Sequence, residues 1–398
     1  MTDFTISSFN VKNLIGADQE YYTFESYTPE EYAWKEDWLA DQLVTLNADI
    51  VGFQEIFERP ALYAVIKEAN ERGAELNDAV IPDKSKKYHR KAIFRKLAYE
   101  RYDEGSLFFA PNVFDGDPGN RRPGLAMLSR FGYADEPEVL QELPEPLTIE
   151  FPELGGGEAG SYTLTRTSRP IIKAKIPVGG QVITVFNCHL KSKLGEFIRP
   201  AGAAFAPEAN LLAYDPLGRA VGELRSMLRR TAEAVVLRRW VIEELEAGNP
   251  VAVLGDLNDS EHAVSSAVIS GERPFKNYAW MRRHDAAHRS DRYKGEEDLQ
   301  IRGAVETYQL TSAEKLFVRK SLRDMVYTSA FGGVFESIDQ ILLSRHFHPD
   351  NPDAVGSMEY FSVLNDHITD GSHSEAPYNK LASDHGQIMA HITLKGGE

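Results

Sequence analysis

The chain has 398 residues, 42% of them hydrophobic and 26% charged, and a formal net charge of −16. That balance suits a soluble globular protein with a sizeable core and disfavours a nonspecific grip on polyphosphate. A single cysteine, Cys188, excludes an intrachain disulfide framework. Nowhere do 18 apolar residues run together, and residues 1–10 carry neither a basic nor an apolar leader region. No membrane span and a cytoplasmic location are therefore expected.

In chain order, Phe4 to Asn10 alternates as a strand that delivers Asn10 at its end. Thr28-Pro29-Glu30-Glu31 has the composition of a capping box and predicts a helix start. Trp34, Trp38, Leu39, Leu43 and Leu46 recur at helical spacing, both tryptophans reading as core, and Asn47 is the expected stop. Asp49 to Glu55 is a buried-type strand ending in a carboxylate, and 60–73 reads as a second helix. Strand, helix, strand, helix predicts helices packed on sheet faces. Lys84 to Lys96 is a basic cluster interleaved with Tyr88 and Phe94; it suits a solvated surface or a nucleic-acid contact.

Gly124 to Ser129 is another short strand, preceded by Arg121-Arg122-Pro123. Residues 136–160, rich in Pro, Glu and Gly, predict an irregular surface segment. Arg169 to Ile176 and Gln181 to His189 read as hairpin strands joined through Gly179-Gly180. Cys188 and His189 are adjacent on extended backbone and face opposite ways, which excludes a cysteine–histidine couple. A long helix follows with Leu224, Leu228, Val235, Ile242 and Leu245 in phase, stopped at Gly248-Asn249-Pro250.

Val251 to Leu254 is a fully apolar run, and Gly255 lets the backbone leave it tightly before Asp256 and Asn258. A carboxylate and a carboxamide at one strand end suit magnesium-assisted chemistry, or simply a turn. His284 and His288 stand one helical turn apart, but no third zinc ligand accompanies them. Late strands carry Asp339 (Glu336 to Ser344) and follow Ser383-Asp384-His385 (Gln387 to Leu394). No internal repeat or linker divides the chain. A single domain with insertions at about 194–217 and 260–320 is the expectation.

Each strand-end residue has an ordinary explanation as a cap, a turn residue or a core histidine. Eight segments in order are more specific than any one of them: SFNVKNL, VGFQEIF, GLAMLSR, SRPIIKAKI, FNCHLKSK, VLGDLND, SIDQILLS and SDHGQIMAHI. Through these the chain resembles the endonuclease/exonuclease/phosphatase (deoxyribonuclease I-like) superfamily of metal-dependent phosphoesterases, from Asn10 to Leu394. The resemblance implies an α/β fold, a four-layered α/β/β/α sandwich of two mostly antiparallel sheets flanked by helices. It implies Glu55, Asn10 and Asp384 as metal residues, with Mg²⁺ or Mn²⁺ as cofactor. Asp256 would orient or deprotonate the attacking water, and Asn258 would hold the phosphate or a metal-bound oxygen. Asp339 would fix the tautomer and charge of His385. His189 would act at a nonbridging oxygen or the leaving group, with Asp103 or Glu104 as its carboxylate partner. Arg169 and Arg122 would contact the substrate phosphate, Arg122 standing where some members have a tyrosine.

The function implied is hydrolysis of phosphoester bonds by activated water, with nucleic acid the leading substrate class. A small phosphorylated molecule or lipid headgroup is the alternative. A non-catalytic protein of the same fold is disfavoured because none of the catalytic positions is missing. No protein partner is implied.

Overall fold

In the computed structural model the described residues are 2–22, 25–78, 98–113, 122–151, 160–195, 214–271, 295–318, 326–370, 372, 379 and 381–395. The basic cluster at 84–96, Arg121, His284 and His288, and most of 194–217 lie outside them.

Two six-stranded sheets dominate. The first has the order β13 (Gly356–Leu364), β14 (Gln387–Leu394), β1 (Thr2–Leu14), β2 (Ile50–Ile56), β4 (Gly124–Ser129), β3 (Phe108–Ala110). The second runs β5 (Glu138–Phe151), β6 (Gly160–Val178), β7 (Gln181–His189), β8 (Val251–Asp256), β12 (Asp339–Ser344), β9 (Leu310–Ser312). Each sheet has one parallel pair near its middle, β1 with β2 and β7 with β8, and the other pairings are antiparallel. β10 (Ser329–Phe331) and β11 (Val334–Glu336) form a separate hairpin.

Alternation along the strands builds the layers. Phe4, Ile6, Ile183, Val185, Ala252 and Leu254 point into the core between the sheets. Phe9, Val51 and Phe53 face α1 (Pro29–Leu46) and α2 (Arg59–Asp78) on one outer side. Phe186, Cys188, Val251 and Val253 face α3 (Pro216–Glu246) on the other. Sheets buried on both faces explain why β8 reads as a continuous apolar run. The layers are α/β/β/α, as the resemblance implies. Short helices α4 (Val264–Ser270), α5 (Glu296–Tyr308) and α6 (Ala313–Val318) follow β8.

The sheets approach closely beneath the strand ends. A Cβ on Gly52 would come within 2.2 Å of Leu254 Cδ1 and 2.8 Å of Asn187 Cγ. Across that gap Gln54 Nε2 donates to Asn187 Oδ1 at 2.7 Å, and Asn187 Nδ2 donates to the carbonyls of Phe53 and Ala126. This buried amide link ties the second sheet to the first one residue before Glu55, in a setting where unpaired amides would be costly.

Several local expectations hold. Thr28 and Glu31 form the reciprocal capping box, and Asn47 ends α1 in the left-handed conformation. Gly179 and Gly180 both take positive φ, the geometry a two-residue hairpin turn needs. Others are corrected. Residues 138–151 are a strand pairing with β6, because the neighbouring strand supplies backbone partners that outweigh the Pro- and Glu-rich composition. Trp34 is 39% exposed and stacks on Trp38, since Lys35 takes the inward place. In α3 Val235 is exposed, and the inner face instead carries Leu237, Trp240 and Val241 with Arg230, Glu233 and Glu244. The stretch 260–320 contributes β9, which pairs with β12, so part of it belongs to the sandwich.

Candidate active site

Strand register assembles one half of the site. β7 pairs in parallel with β8 so that His189 is opposite Asp256, and β12 pairs antiparallel so that Asp339 is also opposite Asp256. Three neighbouring strands thus present His189, Asp256 and Asp339 in one row at their ends. Gly255 makes the row close: its φ is +142°, and a Cβ there would lie 1.9 Å from the Cys188 carbonyl oxygen. The chain then turns at Asn258, whose backbone N–H donates to Asp256 Oδ1 at 2.8 Å.

The first sheet supplies the other half through bent backbone. Between Asn10 and Leu14 the pairing with β2 slips, and Lys12 and Asn13 both take positive φ. Glu55 also takes positive φ, +65°, where β2 slips against β4. Such bulges re-aim a side chain that a straight strand would turn elsewhere. Asn10 Nδ2 lies 3.3 Å from Glu55 Oε1, 3.0 Å from Asp256 Oδ2 and 3.4 Å from His385 Nε2, joining the two sheets. The Asn13 N–H donates to Glu55 Oε2 at 3.0 Å.

His385 closes the arrangement. Its Nδ1 is 2.8 Å from Asp339 Oδ2 and its Nε2 3.8 Å from Asp256 Oδ2. Burial opposes its cation, but Asp339 and Asp256 outweigh that and hold its pKa well above the ordinary histidine value. Ser383 Oγ donates to the Asn10 carbonyl at 2.6 Å and accepts from the His385 N–H at 3.0 Å, fixing the loop to β1. Burial pushes Asp256 up to about 7, with Asp339 and Glu55 adding to it and His385 opposing. His189 Nε2 is 3.3 Å from Asp256 Oδ2, and burial, with Arg169 and His385 nearby, keeps its ring neutral. Its Nδ1 is buried without a partner among the described residues. Neither suggested carboxylate serves it: Asp103 accepts from the Gly105 N–H, and Glu104 accepts from Asn70 and Arg101.

Arg169 and Asn258 meet on one acceptor, each donating to the Leu190 carbonyl at 3.0 Å. Arg122 is exposed two residues ahead of β4, at the end where Gly124 pairs with Ile56. Asp384 is half exposed and lies 3.6 Å from Lys12 Nζ.

Asp256, Asp339 and His385 offer ligand atoms within 4.8 Å of one another. A cationic His385 with Nδ1 turned to Asp339 is a poor metal ligand, so that trio reads better as a proton-handling set. The carboxylates of Glu55 and Asp384 are of the oxygen type that suits a hard divalent cation, whereas Asn10 turns its Nδ2 to Glu55 and its Oδ1 accepts from the Lys12 N–H at 3.0 Å. Asn13, whose N–H meets Glu55, has its side-chain Oδ1 buried and without a partner among the described residues. Asn13 and Ser383 were not singled out from sequence. Ser383 stood in plain view within Ser383-Asp384-His385, whereas Asn13 is brought in only by the bulge.

A profile of the Endonuclease/Exonuclease/phosphatase family matches residues 8–385. The chain belongs to that family. No curated protein sequence matches it. Among solved structures, an endonuclease/exonuclease/phosphatase family protein from Bacteroides thetaiotaomicron is 13% identical, with 99% of this chain and 98% of that one covered and a TM-score of 0.45. Truncated Caenorhabditis elegans TDP2 is 12% identical over 98% and 97%, with a TM-score of 0.42. A mannosyl-6-phosphatase from B. thetaiotaomicron is 13% identical over 98% and 100%, at 0.43. With scores this low, the family assignment rests on the profile match. Endonuclease/exonuclease/phosphatase members are phosphoester hydrolases and generally depend on divalent metal. Among the described residues no helix is long and apolar enough to cross a membrane.

Proposed function

We propose that this endonuclease/exonuclease/phosphatase chain is a divalent-metal-dependent phosphodiesterase acting by activated water, with nucleic acid as its substrate class. The observation that carries the reading is the convergence of His189, Asp256, Asp339 and His385 with Asn10 and Glu55 at the meeting of two sheets. Glu55, Asn10 and Asp384 would hold Mg²⁺ or Mn²⁺, which when bound neutralises charge on the phosphate. Asp256, its pKa raised to about 7, is suited to take a proton from water at neutral pH. The neutral His189 holds that carboxylate from the other side. His385, kept cationic by Asp339, would face the anionic charge that builds on the phosphoryl oxygens. Arg169, Arg122 and Asn258 would orient the phosphate.

Nucleic acid is favoured by those arginines and by the basic cluster at 84–96. The net charge of −16 favours a second reading, a small phosphorylated molecule or lipid headgroup. Parallel assays on bis(p-nitrophenyl) phosphate, p-nitrophenyl phosphate and plasmid DNA, with Mg²⁺, Mn²⁺ or EDTA, separate the two. Metal-dependent cleavage of diester and plasmid is the expected result. Cleavage of a small ester with the plasmid untouched would replace the first reading with the second, and no hydrolysis under any condition would overturn both.

A further inference from the structure

Lys35 is fully buried on α1, and its partners are unusual for a lysine. Its Nζ donates to the Val11 carbonyl at 3.0 Å and to the Leu381 carbonyl at 3.0 Å, and it lies 5.6 Å from the centre of the Tyr27 ring. A desolvated ammonium is costly unless its hydrogen bonds are well placed. Here the two acceptors belong to different parts of the site. Val11 follows Asn10 on β1, immediately before the Lys12–Asn13 bulge. Leu381 opens the segment that carries Ser383, Asp384 and His385 and runs into β14.

Leu381 and Val11 are far apart in sequence, and between them the described contacts form a short chain. Lys35 joins their carbonyls, Ser383 joins the Asn10 carbonyl to the His385 N–H, and Asn10 Nδ2 reaches His385 Nε2. A carbonyl at each end needs a donor with reach and more than one hydrogen, which an ammonium supplies. Helix α1 is a rigid base for it, packed by Leu39, Leu43 and Leu46 against the first sheet.

We infer that Lys35 is a positioning residue, an internal clamp that holds the 381–386 segment in register with the end of β1 so that His385 meets Asn10 and Asp384 meets Lys12. The inference builds on the phosphodiesterase reading for its kinetic consequence, but its structural consequence is independent of any substrate. Loss of the clamp leaves both strands in place and lets the segment drift. Displacements of about 1 Å at reacting groups cost up to about a hundredfold in rate.

The test compares wild type with Lys35→Met, which keeps length and removes the donors, and Lys35→Gln, which keeps one donor group. Hydrogen exchange of peptides covering 381–386 and 50–56 is followed with steady-state kinetics on bis(p-nitrophenyl) phosphate. The expected result for Lys35→Met is faster exchange at 381–386 with 50–56 unchanged, and kcat lowered about tenfold or more with KM within about twofold. Lys35→Gln should fall between it and wild type in both measures, and it carries the test if Lys35→Met does not fold. Unchanged exchange at 381–386 would overturn the clamp, as would an undiminished kcat or a uniform rise in exchange across both peptides. Absence of activity in the wild type would instead count against the phosphodiesterase reading, with the exchange result still deciding the clamp.

Discussion

The two sheets reach the same site by different means. In the second sheet, His189, Asp256 and Asp339 are placed by register alone on straight strands, with Gly255 permitting the close approach. In the first, Asn10 and Glu55 are placed by bulges, with Lys12, Asn13 and Glu55 all at positive φ. Each half is also gripped from its covering helix by a buried charge. α1 offers Lys35 to the carbonyls of Val11 and Leu381. α3 offers Glu233, which accepts from the N–H groups of Ser168 and Lys191, flanking Arg169 and His189. Beside it Arg230 donates to Asp259 and to the carbonyls of Lys191 and Ser192. A cation collects carbonyls in one half and a carboxylate collects amides in the other. Both grips act mainly on loop backbone, with the Ser168 hydroxyl and the Asp259 carboxylate also held in the second half.

The largest effects should come from Asp256 and His385, where the second-sheet row meets the segment that enters β14 of the first sheet. Asp256→Ala or His385→Ala is expected to lower kcat by at least about a hundredfold, with circular dichroism and melting temperature close to wild type. A loss below tenfold in both would separate that pair from the chemistry. The first sheet should respond differently. Glu55→Gln is expected to raise the Mg²⁺ concentration needed for half-maximal activity by about tenfold or more, because a charged oxygen ligand is lost. An unchanged metal requirement would remove Glu55 from the cation's donors and break the division of labour between the sheets.

The helix grips come next in size. Glu233→Ala leaves the Ser168 and Lys191 amides without their acceptor, which should cost about 2–4 kcal/mol in urea unfolding. It should also raise KM more than it lowers kcat, since the residue it frees is Arg169. A kcat-dominated loss would mean that Glu233 acts through His189 instead.

The same contrast explains what was legible in the sequence. Straight strands announce themselves by apolar runs, so His189, Asp256 and Asp339 are legible at the ends of β7, β8 and β12, while His385 lies in the turn just before β14. Bulges do not, because positive φ at Lys12, Asn13 and Glu55 leaves no glycine to mark it. The helices are legible from their spacing, with Leu39, Leu43, Leu46 and Leu245 facing inward as expected, but periodicity misses the inward charges. In α1 the buried stripe is Lys35, Leu39, Leu43 and Leu46, which turns Trp34 outward. In α3 Arg230, Glu233 and Glu244 occupy the stripe, and Val235 is left exposed. Hydrophobic periodicity assumes that charge faces water. It fails where a helix uses buried charge to hold loops. His189 shows a different gap: the resemblance implies a carboxylate partner, but Asp103 caps a short turn and Glu104 accepts from Asn70 and Arg101.

The smallest effect should come from a buried charge that grips no loop backbone. Glu314, on α6, faces another carboxylate, Glu261; burial first and Glu261 second push its pKa up to about 7. A carboxyl raised in the folded state binds protons more tightly there than in the unfolded chain. Its contribution is therefore fully favourable below the unfolded value of 4.5, declines as pH rises towards 7, and is lost above it. Glu314→Gln keeps the shape without the ionisation. Allowing for its partial exposure, the variant should gain about 1–2 kcal/mol over wild type at pH 8 and close to nothing at pH 4.5. Urea midpoints at the two pH values measure the difference, with activity expected to stay within about twofold. A gap that fails to widen with pH would mean that Glu314 has a compensating partner, as Lys35, Glu233 and Arg230 do, and that buried charge in this fold is matched well beyond the site.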